Sequence, residues 1–211
     1  MFESRKWLGL CRLAGVATVL SATILVTGCA TPTVQARVTS FQHWPSDVVG
    51  ATYRFVDATP GQANNLEYQA YQDAMRASIG PTGLVEAPPG ASARFNVSFK
   101  YGTEQTQVMT RQPYDPYFYG GFGGFYGPPW WGPGYWGPSW VDVPTVAYRN
   151  RLTVEIYDNA NKGAEVYRSS AYILSGRENL VRTMPYLTRA IFDNFPGNNG
   201  SEREVEYPVN R

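Results

Sequence analysis

Side chains that do chemistry are scarce in this chain. Of its 211 residues only two are cysteine and one is histidine. Cys11 and Cys29 both fall near the start, so the remaining 180 or so residues offer no thiol for a disulfide, a nucleophile or a metal site. His43 stands beside Trp44 with no cysteine or acid at ligand spacing, which makes it a structural or surface histidine, so no metal is expected. No serine lies in a Gly-x-Ser-x-Gly elbow. Gly120–Gly124 is glycine-rich but is followed by no phosphate-binding lysine. Glu202 and Glu204 fall in a polar tail where solvation explains them. These absences exclude the familiar nucleophilic, metal and nucleotide-dependent enzymes, and no cofactor is expected. A hydrolase using only carboxylates stays open as an alternative, because its two acids could come from anywhere in the chain.

Long apolar runs are also missing. The longest, Leu13–Val26, falls short of the ~20 residues that span a bilayer. It follows Arg5, Lys6 and Arg12 and precedes small residues, the layout of a secretory signal peptide. Val26-Thr27-Gly28-Cys29 resembles a bacterial lipobox, with an aliphatic residue, two small ones and a cysteine. That resemblance implies cleavage after residue 28 and acylation of Cys29 by diacylglycerol and a further chain such as palmitate. Each buried methylene contributes about 0.8 kcal/mol, and two or more chains anchor stably. Ala30 stands where an Asp would imply inner-membrane retention in lipoproteins. The expected location is therefore the outer membrane, lipid-anchored, with the domain facing the periplasm.

Charge of either sign is sparse. Without residues 1–28, 15 basic residues face 16 acids, a balance that excludes nucleic-acid binding by net charge.

What is present reads as one domain. The expected layout is a signal peptide at 1–28, a lipidated linker at 29–39, an α+β domain at 40–196 and a polar tail at 197–211. Tyr53–Val56 reads as a strand. Asn64 or Asn65 caps a helix whose apolar face is Leu66, Ala70, Tyr71, Ala74, Met75 and Ile79. Arg94–Tyr101 alternates without an error and continues more weakly through Gln105, Gln107 and Met109. A second alternating run, Val146, Tyr148, Leu152, Val154 and Ile156, turns at Asp158–Gly163 into a strand over Glu165–Leu174. Leu180, Met184, Leu187, Ile191 and Phe195 recur at helical spacing, with Pro185 in the first turn or at a kink. Alternation implies one covered sheet face. The expected fold is an antiparallel sheet of about four strands, in the order β-α-β-β-β-α, with both helices on one face. Its core should hold Phe95, Val97, Phe99, Leu152, Val154 and Ile156 against Leu66, Met75, Leu187 and Ile191.

These pieces resemble the small bacterial lipoproteins that carry the domain of unknown function 4136. The resemblance rests on the lipobox, on Phe41…Trp44…Tyr53-Arg54-Phe55, on the Arg94–Tyr101 strand and on the hairpin Leu152–Asp158…Glu165–Arg168. Where that family's hairpin ends in a Trp-Arg-Gly-like step, this chain has Tyr167-Arg168-Ser169. The family carries no assigned activity, so it implies fold and location only.

One stretch is abundant in what the rest lacks. Residues 113–140 hold 12 aromatics, 8 glycines and 6 prolines in 28 positions, with Asp115 the only charge. Helix and ladder are both excluded there by proline and glycine. A segment of this kind is a low-complexity spacer, a contact surface, or a headgroup-level insertion favoured by Trp and Tyr. As a contact surface its candidate anchors are Tyr119, Tyr126, Trp130, Trp131, Tyr135, Trp136 and Trp140. Peptidoglycan or another envelope protein is then the expected partner. The function read from the sequence is a non-catalytic envelope lipoprotein making such contacts. The alternative is a structural accessory subunit of an outer-membrane assembly, with the loop as a spacer.

Overall fold

The computed structural model describes residues 31–114 and 139–209. Residues 34–207 form one compact unit. A second unit includes residues 31–33 with 208 and 209, where the Val209 N–H donates to the Pro32 carbonyl at 2.9 Å.

The sheet has seven strands: β1 (Thr33–Gln42), β2 (Thr52–Phe55), β3 (Val85–Glu86), β4 (Phe95–Tyr114), β5 (Ser139–Asp158), β6 (Ala164–Ser175) and β7 (Ser201–Pro208). Their order across the sheet is β3-β2-β4-β5-β6-β1-β7. Two helices accompany it, α1 (Leu66–Ile79) and α2 (Leu180–Phe192). The α+β class stands, but the expected antiparallel sheet of about four strands does not, because this sheet is mixed. β2 runs parallel to both β3 and β4, and β4/β5, β5/β6 and β6/β1 are antiparallel. The parallel pair follows from connectivity: α1 carries the chain from β2 to β4, and a helical crossover returns the next strand in the same direction.

Two strands come from segments expected to be irregular. The anticipated linker forms β1, which buries Ala36, Val38 and Ser40 and pairs with β6 from Ala36↔Ile173 to Gln42↔Tyr167. The anticipated tail forms β7, an edge strand alternating Glu202, Glu204 and Glu206 with Val205 and the buried Tyr207. Charged residues on an edge strand discourage pairing with another chain.

Asn65 caps α1, its side-chain oxygen accepting from the Glu67 N–H at 2.8 Å. The buried face of α1 is Tyr68, Tyr71, Met75 and Ile79. Leu66, expected in the core, is 81% exposed, because the face is rotated so that Tyr68 takes the first inward position. α2 buries Met184, Leu187, Ala190 and Ile191, and Pro185 lies inside the helix on its exposed side. Between helices and sheet lie Phe95, Val97, Phe99, Leu152, Val154 and Ile156, all buried as expected. Tyr68 stacks on Phe99 at 4.4 Å, and Trp44 stacks on Phe95 at 4.9 Å and meets Phe195 edge-on at 4.6 Å.

Burial gives these rings a pH signature. Desolvation pushes the hydroxyls of Tyr53 and Tyr68 up to about 12, above the usual value near 10. A raised folded pKa means their contribution is intact below about pH 10 and is lost as pH rises through about 12. The urea midpoint should therefore fall steeply across that interval. The Tyr68 hydroxyl is buried without a hydrogen-bond partner among the described residues. Tyr68→Phe should accordingly leave neutral-pH stability unchanged or raised and make the alkaline fall shallower. An unchanged alkaline profile in that variant would contradict the assignment.

Candidate functional site

β4 and β5 form the longest pairing in the sheet, running from Phe95↔Asp158 to Tyr114↔Ser139. β2 accompanies β4 only at Phe95–Val97, and β6 accompanies β5 only as far as Tyr148↔Ser175. From Thr106↔Ala147 to Tyr114↔Ser139 the two strands have no neighbour among the described residues. The result is an arm of two strands, roughly 30 Å long at about 3.4 Å per residue. Its end carries the chain into the aromatic segment 115–138.

The arm is less polar than its exposure would suggest. Met109, Pro144, Val146 and Trp140 continue the face that holds Phe95 and Val154 further down, and Met109 and Trp140 are 68% and 53% exposed. Val108, Val141 and Val143 lie on the opposite face. An isolated two-stranded ribbon is marginal in water, and exposed apolar surface of this kind marks contact with something else.

Its edges are blunted. The Val56 N–H donates to the Val97 carbonyl, while the Arg94 carbonyl accepts from Asn159, so odd residues of β4 turn their backbone groups away from β5. By the same register Pro113, and Pro144 opposite Met109, place their missing N–H on the two outer edges. A proline there costs no ladder bond but interrupts pairing with an added strand.

Of the aromatic anchors read from the sequence, Trp140 is the one described: it lies on β5 opposite Pro113. Tyr119, Tyr126, Trp130, Trp131, Tyr135, Trp136 and the lipid-attachment candidate Cys29 lie outside the described residues. The segment taken as a loop over 113–140 is two residues shorter at its start and two at its end, since β4 reaches Tyr114 and β5 starts at Ser139. His43 is exposed, and its backbone N–H donates to the Val166 carbonyl at 2.9 Å. Among the described residues no group of three His, Cys, Asp or Glu could hold a metal ion, and no helix is long and apolar enough to cross a membrane.

Two clefts flank the helices. A groove of about 630 Å³ lies between α1 and α2, lined by Ala74, Ser78, Thr188, Phe192 and Phe195, with Arg189 paired to Asp193 at 3.5 Å. A smaller cleft of about 400 Å³ is lined by Glu67, Tyr71, Tyr101 and Glu178. There the Tyr71 hydroxyl donates to Glu67 at 2.8 Å and its ring meets Tyr101 edge-on at 4.8 Å. Burial, reinforced by the hydrogen bond to Glu67, holds the Tyr71 hydroxyl protonated well above the usual tyrosine range. These four residues come from α1, β4 and the turn before α2. No linear spacing announced them.

A mixed sheet with two packed helices and a two-stranded arm defines an α+β domain. The family model described as Domain of unknown function (DUF4136) matches residues 37–197, and the chain belongs to that family. No curated protein matches. Among solved structures, the chain is similar to a PDZ domain protein from Parabacteroides distasonis ATCC 8503, with 12% identity and a TM-score of 0.42. That match covers 83% of this chain, which spans only 39% of the other. It is also similar to the PelC dodecamer from Paraburkholderia phytofirmans, with 13% identity and a TM-score of 0.40, over 78% of this chain and 99% of that one.

Proposed function

We propose that the protein is a non-catalytic envelope lipoprotein. Cys29 anchors it to the outer membrane, with the domain on the periplasmic side, and the β4/β5 arm reaches a glycan or protein partner. The observation that carries this reading is the arm itself: two long strands with exposed apolar side chains and interrupted edges, leading into the aromatic segment. Trp and Tyr dominate that segment, and such rings serve as anchors on partner surfaces, commonly contributing about 2 kcal/mol or more each. Val26-Thr27-Gly28-Cys29 supports the anchor.

Removing residues 115–138 and joining Tyr114 to Ser139 through an Asn-Gly turn should leave the fold intact, since the two strands already pair at that point. Capture by isolated peptidoglycan sacculi, or by a crosslinked membrane partner, should fall at least about tenfold, the loss of one such anchor. Undiminished capture would leave the segment as a spacer and support the accessory-subunit reading instead. A hydrolase reading has one observation in its favour, the two carboxylates Glu67 and Glu178 on one cleft. Soluble fragments released from sacculi by the intact protein and not by Glu67→Gln would favour it over the binding role.

A further inference from the structure

On the sheet face that carries no helix three arginines are grouped around Tyr172, and among the described residues their one ion pair is the long contact from Arg37 to Glu204. Register sets the rows: Arg37 of β1 stands beside Tyr172 of β6, Tyr172 beside Arg151 of β5, and Arg151 beside Gly102 of β4. Arg149 lies two residues along β5 on the same face, opposite Glu104 and beside Leu174. Gly102 offers no side chain and has open space around it, so Arg151 has room on that side.

Several other arginines are held by carboxylates. Arg76 reaches Glu86 at 2.8 Å, Arg168 reaches Glu165 at 2.7 Å, and Arg94 lies between Asp47 and Asp158 at 3.1 and 3.3 Å. Arg151 has no ion pair or hydrogen-bonded side chain among the described residues. Arg149 lies over the Tyr172 ring at 5.1 Å from its centroid, and its Nε is buried without an acceptor. Arg37 has only long contacts, 3.8 Å to Glu204 and 3.5 Å to the Tyr172 hydroxyl. A buried guanidinium N–H without an acceptor is unfavourable, and a ligand oxygen relieves it.

Arg149 and Arg151 are about 7 Å apart along the strand, and Arg37 and Arg151 about 10 Å apart across two strand spacings. Arginine stems are long enough to span such gaps, so a ligand above Tyr172 lies within reach of all three forks. One carboxylate is satisfied by a single fork. An oxyanion with three terminal oxygens and nearly two negative charges, a phosphate monoester, suits three. The flanks restrict its size: Glu204 and Glu206 reach the side chains of Arg37 and Gln35 from β7, and Glu104 stands across from Arg149. A flat anionic bilayer would press those acids against its own phosphates. We infer that Arg149, Arg151 and Arg37, grouped around Tyr172 on the helix-free face, bind a phosphate monoester carried on a small soluble ligand.

Calorimetric titration of the full chain at low salt, with glycerol phosphate as probe and glycerol as control, tests this. Glycerol phosphate should bind with a Kd on the order of 1 mM or tighter, and glycerol should not bind. Arg151→Gln, at an exposed position, should weaken binding at least about tenfold. Arg149→Lys should weaken it as well, because the charge stays while the fork is lost. Arg182→Gln, on the outside of α2, should bind like the parent. Three results overturn the inference: no heat up to about 10 mM glycerol phosphate, equal binding by Arg151→Gln, or attachment to phosphatidylglycerol vesicles without binding of the soluble ester. Unchanged far-UV circular dichroism and thermal midpoint in Arg151→Gln establish that a loss is not unfolding.

Discussion

Phe99→Ala should destabilise the domain by about 3–5 kcal/mol, a large fraction of the 5–15 kcal/mol that holds a typical domain together. Phe99 is 1% exposed, stacks face to face on Tyr68 of α1, and meets Phe55 edge-on at 6.1 Å. Removing its ring leaves a cavity where a helix and two strands meet, and the close-packed neighbours relax only in part. Leu152→Ala, at a fully buried position opposite Tyr101, should cost about 2–5 kcal/mol. Leu66→Ala is the internal control: with its side chain mostly in water, the expected change is within about 0.5 kcal/mol. Urea unfolding of the three variants checks the packing directly. A cost at Leu66 comparable to that at Phe99 would mean that α1 presents a different face to the sheet.

Cys29→Ser should release the protein from membranes altogether. The hydroxyl of serine cannot receive the thioether-linked diacylglycerol. The loss is large because each acyl chain contributes through many methylenes at about 0.8 kcal/mol apiece, and no helix of the described residues offers a second way into the bilayer. Mass spectrometry of the membrane-extracted parent should show an acylated N-terminal cysteine. A soluble parent beginning at another residue would remove the anchor from the account.

The strands that the sequence announced are those with one face fully covered. Phe95, Val97 and Phe99 alternate with the polar Asn96, Ser98 and Lys100 because helices cover one side of the sheet and none covers the other, although Ser98 is itself buried there. β1 escaped notice because its inward positions are small, Ala36 and Ser40 beside Val38, so its hydrophobic signal is faint. β7 escaped because an edge strand carries charge for protection, and Arg203 shares the inward register of Val205 and Tyr207. Strand direction leaves no mark on alternation. The parallel β2/β4 pair was implied only by the helix between them. At the candidate site the aromatic segment is conspicuous in composition, and the base of the arm shows as a weaker continuation of the strands through Met109 and from Val146. Its last stretch, to Tyr114 and from Ser139, is hidden beside proline and aromatic residues. The basic cluster was invisible for another reason: a net charge sums over the chain, and only register puts Arg37, Arg149 and Arg151 on one face.

The arm as a contact element is the centre of this account, and a photocrosslinking side chain at Trp140 tests it most directly. Trp140 lies on β5 at the end of the arm and is 53% exposed, so a benzophenone amino acid replaces it without disturbing the core. The matching control is Val181, on the outside of α2 and 70% exposed. Irradiation of living cells should give a discrete crosslink to glycan or to one envelope protein from position 140 and none from position 181. No crosslink at 140, or the same products from both positions, would contradict the account.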